Sequence, residues 1–94
     1  MSVRFARSAT KHRVSKESIH HVIAHCGLRF EQSPPVGERE VRDLRLLYLG
    51  DDGNGRALEV MAVELANGEL LVIHAMPLRE KYRPEYEEAM RWQL

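Results

Sequence analysis

The stretch from Arg56 to Met76 limits what this chain can fold into more than any other part of it. Two strand-length runs, Arg56–Leu65 and Glu69–Met76, flank Asn67-Gly68, the standard two-residue hairpin signal. In the first run Leu58, Val60 and Ala62 fall on one face and Met61, Val63 and Leu65 on the other, the pattern of a central strand covered on both sides. In the second, alternation puts Leu70, Val72, His74 and Met76 on one face and Leu71, Ile73 and Ala75 on the other. A further run, Leu44 to Leu49, precedes the turn cluster Gly50-Asp51-Asp52-Gly53-Asn54-Gly55, in which Asp51-Asp52 reads as a pair of turn residues. Connections this short force the three strands into an antiparallel meander.

The flanks read as helices. Ser15 is a good N-cap, and Ile19, Val22, Ile23 and Cys26 recur at i, i+3, i+4 and i+7, which makes one apolar stripe with Gly27 as its left-handed cap. Cys26 therefore reads as a core residue rather than a nucleophile. Val3 and Phe5 leave room for a short extra edge strand. Residues 31–43 carry Ser33-Pro34-Pro35 and Gly37 among charges and read as a loop. After Pro77, residues 78–83 suit a helical turn and Pro84 the first position of a helix. Glu85, Glu87 and Glu88 favour that helix's N-terminal dipole, Tyr86, Ala89 and Met90 form its stripe, Trp92 laps its edge, and Leu94 extends it. The expectation is one α+β domain over residues 1–94: an N-terminal helix, a three-stranded meander and a C-terminal helix.

Charge narrows the function classes. Fourteen Lys and Arg balance fourteen Asp and Glu, so the whole molecule has no bias toward a polyanion. The distribution is uneven: Arg4, Arg7, Lys11, Arg13 and Lys16 precede the first acid, whereas Asp51, Asp52, Glu59, Glu64, Glu69, Glu85, Glu87 and Glu88 mark the later chain as acid-rich. A basic end suits a polyanion and an acidic end a basic partner; a solvated surface of mixed sign is the plainer alternative. No apolar run approaches the roughly 20 residues that span a bilayer, and the basic start lacks the apolar core of a signal peptide. With one cysteine and no paired ligands, the expectation is a cytoplasmic protein without membrane partner, disulfide, cofactor or metal.

Two histidine-bearing stretches could carry chemistry. His21 and His25, beside His20, have the i, i+4 spacing of two metal ligands, but the glutamate of a zinc-protease helix and a third ligand are missing, so they read as a solvent-facing pair. Lys11-His12-Arg13 lies in the cationic segment before the first helix. RNA cleavage needs one group to take the 2′-hydroxyl proton, one to protonate the leaving 5′-oxygen, and cations to hold the charged phosphorane. Those residue types are present here, though a basic run before a helix also serves simply as surface. His74 reads as a core histidine satisfied by a backbone carbonyl, or as the edge of a cleft closed by Arg79-Glu80-Lys81-Tyr82-Arg83.

Lys11-His12-Arg13-Val14-Ser15, leading into an amphipathic helix, resembles the KHGVS motif before the first helix of BrnT-type toxins, in the RelE-like group of toxin–antitoxin ribonucleases. Ile73-His74-Ala75-Met76-Pro77 and the later Tyr86-Glu87-Glu88 are similar to that family's closing strand, IISARPA, and its YEE helix. The motif glycine is Arg13 here, and the arginine following ISA falls on Met76. The resemblance implies a RelE-like fold and a bacterial toxin that arrests translation by metal-independent cleavage of mRNA, on the ribosome or off it, neutralised by a cognate antitoxin. It would assign Lys11 and His12 to phosphate contact and proton transfer, Arg79 and Arg83 to charge stabilisation, and Tyr82 to stacking or acid catalysis. Arg4, Arg7, Arg13, Lys16 and Lys81 would bind RNA, and an oligomer is left open. The alternative is a non-catalytic RelE-like module that binds protein or RNA, which Met76 and the zero net charge favour.

Overall fold

In a computed structural model, residues 2–26, 28–32 and 44–91 are described. Strand β1 (Val3–Phe5) leads through a 3-10 turn (Arg7–Thr10) to helix α1 (Lys16–His25). Strands β2 (Leu28–Gln32), β3 (Leu44–Asp51), β4 (Ala57–Glu64) and β5 (Leu70–Pro77) follow, and a second 3-10 turn (Glu80–Tyr82) leads into helix α2 (Arg83–Arg91). The strands form one mixed sheet in the order β1-β5-β4-β3-β2.

The central β3-β4-β5 meander is antiparallel, as the turn signals require. The sheet is wider than the three-stranded meander expected, and the first of its two added strands is the short edge strand for which Val3 and Phe5 left room. On one side β1 pairs parallel to β5, with Val3 opposite Leu70 and Phe5 opposite Val72. On the other, β2 pairs antiparallel to β3, from Leu28 opposite Leu49 to Gln32 opposite Arg45. Glu31 and Gln32 thus belong to a strand rather than to a loop over 31–43, and residues 33–43 lie outside the described residues. Five residues following Gly27 carry little periodicity of their own. What places β2 is that Leu28 and Phe30 extend the apolar face of Leu47 and Leu49.

The two faces of the sheet are filled differently. Ile19 and Val22 of α1 are fully buried and pack with Leu46, Tyr48, Leu58, Val60, Ala62, Leu70, Val72 and Ala75, while Ile23 and Cys26 lap the edge of that cluster. Burying each such aliphatic side chain contributes on the order of 1.5–3 kcal/mol, which is why this stripe docks the helix. Burial also pushes the Cys26 thiol above its ordinary pKa, against an opposing pull from Arg29, in keeping with a packing role. The Ser15 hydroxyl caps α1 by accepting from the Ser18 N–H at 3.1 Å. The second face holds a smaller cluster of Leu47, Leu49 and Leu78, with Leu28, Phe30, Met61, Tyr82 and Tyr86 partly buried around it. No α2 residue is fully buried. Gly27, Trp92 and Leu94, assigned above to the ends of the two helices, lie outside the described residues.

The turns use their polar residues locally. Asp51 Oδ1 accepts from the Gly53 N–H at 2.8 Å, and Asp52 Oδ1 from the N–H groups of Asn54 at 2.8 Å and Arg56 at 3.1 Å. Those backbone donors, that of Asn54 first, hold the Asp52 carboxyl below its ordinary pKa. The second hairpin is not the two-residue form: the Leu65 N–H donates to Glu69 O at 2.8 Å and the Gly68 N–H to Leu65 O at 2.9 Å. Only Gly68, at φ 85°, is left-handed there, so the loop is Ala66-Asn67-Gly68.

Near the end of β3 the sheet runs close under the C-terminal cap of α1. A Cβ at Gly50 would lie 3.1 Å from the Cys26 Cα, a backbone atom that cannot swing aside. Gly50→Ala is expected to destabilise the fold by about 1–2 kcal/mol through this overpacking, read as a lower urea midpoint. Gly55→Ala, where nothing lies within 4 Å but φ is 90°, tests strain alone and is expected to cost about 1 kcal/mol.

Candidate functional site

A kink in β5 brings the chemistry together. Val72 pairs with Ala62 and His74 with Met61, so β5 advances two residues while β4 advances one, leaving Ile73 as the extra residue of a bulge. The bulge reverses the alternation expected from sequence. Ala75, rather than His74, joins Leu70 and Val72 in the α1-side core, and His74 passes to the α2 side. The first 3-10 turn covers the irregularity, with the Ser8 hydroxyl donating to Ile73 O at 2.6 Å and the Ala6 N–H to Val72 O at 2.8 Å. The chain then turns at Lys11-His12 and sets the His12 ring edge-on to His74, centroids 5.9 Å apart.

Beneath these rings lies Glu59, whose side chain is fully buried. Its carboxylate receives the Arg79 backbone N–H at 3.0 Å, the Arg79 Nε–H at 2.9 Å and Nη2–H at 2.6 Å, and lies 3.0 Å from His74 Nε2. Burial alone would push this carboxyl's pKa up; the Arg79 side-chain and backbone bonds, with His74, outweigh it and hold the group below the usual range. Glu59 is therefore an anion, and His74 Nε2 must be the donor to it. A neutral His74 then has its lone pair on Nδ1. His74 is thus satisfied by a carboxylate, not by the backbone carbonyl considered above.

Arg79, with 41% of its side chain exposed, also packs against Tyr82, its Cζ 5.6 Å from the ring centroid. Lys81 Nζ lies 4.9 Å from the same ring, so two cations bracket one half-buried aromatic. The geometry joins an acid–base pair, a bidentate guanidinium and a cation-flanked ring in one chain of contacts.

Of the residues singled out from sequence, His12, Arg79, Tyr82 and Lys81 belong to this chain of contacts, with Lys11 exposed beside His12. The others are spread elsewhere. Arg83 pairs with Glu80 at 3.5 Å and Glu87 at 3.7 Å. Arg4 bonds Glu69 at 3.1 Å, Lys16 lies 5.2 Å over the Phe5 ring, and Arg7 is exposed on the first 3-10 turn. Arg13 is exposed at φ 58°, the one non-glycine among the described residues in the left-handed region. His20 packs edge-on against Phe5. His21 and His25 stack at 4.6 Å, with Asp51 3.8 Å from His21 Nε2, and among the described residues no three His, Cys, Asp or Glu groups converge as a metal site.

Glu59 itself was not among the expected site residues; it had been counted with the acidic surface. Its signal was a lone charge inside Leu58-Glu59-Val60-Met61, a strand covered on both sides. Such a residue is almost never fully buried unless paired. Among the described residues no helix is long and apolar enough to cross a membrane. Comparison with protein-family models, curated proteins and solved structures gave no match.

Glu59→Gln is expected to cost about 2 kcal/mol, because it leaves His74 and Arg79 facing an amide in a buried position. Because the folded-state pKa of Glu59 is depressed, its contribution is complete above the ordinary glutamate value and is lost as pH falls through the folded one. The gap in Tm between native chain and variant should accordingly be constant near neutrality and begin to narrow only as pH falls below the ordinary glutamate range, about 4.3.

Proposed function

We propose that this chain is the toxin of a bacterial type II toxin–antitoxin pair, a RelE-like endoribonuclease that cleaves mRNA without a metal at the Glu59-centred site. The observation that carries this reading is that His74 and Arg79 both grip one buried carboxylate, with His12, from the other end of the sequence, set edge-on against His74. In the proposed reaction His74 Nδ1 takes the proton of a ribose 2′-hydroxyl, and the freed oxygen attacks the adjacent phosphorus. His12 gives its proton to the departing 5′-oxygen, leaving a 2′,3′-cyclic phosphate and a 5′-hydroxyl. Arg79, aided by Lys81 and Lys11, stabilises the phosphorane oxygens, and Tyr82 offers a ring for a base to stack on.

Two features support the resemblance behind this proposal. Position 13, where the similar motif carries glycine, is the left-handed position. Met76, which stands in for the motif arginine, pairs across the strands with Glu59, the residue that Arg79 reaches back to grip. The guanidinium thus arrives next to the place where the motif would put one, which supports Arg79 as the substitute.

The second reading, a non-catalytic module binding a protein or RNA, is favoured by the same ion pair, since a guanidinium held by Glu59 can brace the turn after β5 without touching RNA. Expression of the native chain alone in a bacterial host separates the two. Growth arrest, with cyclic-phosphate ends on cellular mRNA, is the expected result. His12→Ala and His74→Ala should each relieve it at equal soluble expression, with cleavage down by about 10²-fold or more. Normal growth with abundant folded protein would leave the binding module standing. Independently, Arg13→Gly should raise stability by about 0.5–1 kcal/mol and Arg13→Val lower it by about 1 kcal/mol, read from thermal unfolding.

A further inference from the structure

A second surface lies between α2 and β2. Leu28 and Ala89 form the floor of an open groove of about 270 Å³, and Glu85 and Glu88 form its wall. Both glutamates are exposed, and among the described residues neither has an ion-pair partner: of the two cations of α2, Arg83 is engaged with Glu80 and Glu87, and Arg91 pairs with neither glutamate. The helix dipole accounts for Glu85 in the first turn, but not for Glu88 a turn later. Two like charges three residues apart on a helix repel, so a cation placed between them is a gain.

The groove also borders the last described strand of the sheet. Among the described residues β2 is hydrogen-bonded to β3 alone and ends the sheet, so its outer row of N–H and C=O groups can accept another strand. Leu28 is at the β2 end remote from Gln32, about 13 Å away at the usual rise per residue. In a strand added to β2, side chains two residues apart point to the same face, about 7 Å from each other. An apolar side chain seated between Leu28 and Ala89 would therefore have neighbours two residues away on the α2 side, and a lysine or arginine there would reach Glu85 and Glu88.

We propose that the α2–β2 groove docks an extended basic segment of a partner protein, added as a strand to the edge of β2 with an apolar anchor over Leu28 and Ala89. Backbone pairing supplies the generic part of the affinity, and the acidic wall selects a cationic strand over a neutral or acidic one. The surface is separate from the Glu59 site and does not depend on whether that site cleaves RNA.

The test is titration of the full chain with a synthetic peptide repeating Lys-Thr-Leu-Thr, followed by amide shifts in heteronuclear NMR spectra. The expected result is saturable shifts confined to Leu28–Glu31 and Glu85–Ala89. Affinity should fall about tenfold or more for Glu85→Lys/Glu88→Lys, whose exposed positions leave the remaining spectrum in place. It should fall likewise for a peptide with glutamate in place of lysine, and for one with proline in place of threonine. Absence of saturable shifts, shifts centred on the His12–Arg79 surface, or equal binding by the glutamate or proline peptide would overturn the proposal. So would shifts at the same residues that track protein concentration without peptide, since these would assign the edge to a second copy of the chain.

Discussion

A carboxylate placed under a sheet without partners would be protonated or would unfold its surroundings, and Glu59 avoids both by recruiting donors from two parts of the chain. This requirement shapes much of the region around it. The chain leaving β5 cannot run straight on after Pro77; it must return the Arg79 backbone and guanidinium to the strand it has just left. That return fixes where the second 3-10 turn begins, which places Tyr82 over the Leu47–Leu49–Leu78 cluster and starts α2 above β2. His74 completes the set only because the bulge at Ile73 moves it to the Glu59 side.

The meander and α1 were legible in the sequence because each has a local signal that tertiary packing reinforces: Gly68 at its hairpin, and Ser15 ahead of a stripe in which Ile19 and Val22 are wholly buried. The outer strands were less legible. β1 spans three residues, with the alternation of Val3 and Phe5 as its one sequence signal, and β2 spans five with little periodicity of its own. The largest misreading, the face of His74, has a single physical cause. Alternation assumes an unbroken pleat, and one extra residue inverts every side chain beyond it. The bulge is held by the Ser8 hydroxyl, some sixty-five residues away in sequence, which a reading of residues 70–77 cannot contain.

The candidate site was half visible for a related reason. Histidine, lysine and arginine announce themselves as chemical groups, so His12, Arg79, Tyr82 and Lys81 could be named from sequence. The sequence could not say which of the cations share a location. Arg83 looked equivalent to Arg79 but turns to its own helix and the preceding turn, where exposed pairs with Glu80 and Glu87 contribute a few tenths of a kcal/mol at most. Arg79 instead meets a fully buried carboxylate, and the distinction rests on Glu59, whose importance lay in being the wrong kind of residue for its strand.

The same buried anion weighs on both functional readings, and its geometry separates what they require. For a structural brace, only the Arg79 bonds to Glu59 matter, and His74 and His12 are incidental neighbours. For proton transfer, the ion pair is a means: it keeps Glu59 ionised, which orients His74 with Nε2 toward the carboxylate, so that in the neutral imidazole Nδ1 is the acceptor. A guanidinium has five N–H donors, and Glu59 engages only one edge of the fork, along Nε and Nη2. Two-fifths of the side chain is exposed, and in the proposed reaction the opposite edge would meet a phosphate without releasing the carboxylate. A brace needs neither a guanidinium left partly exposed nor a second imidazole at 5.9 Å from the first, and their presence together is what favours the proposed chemistry.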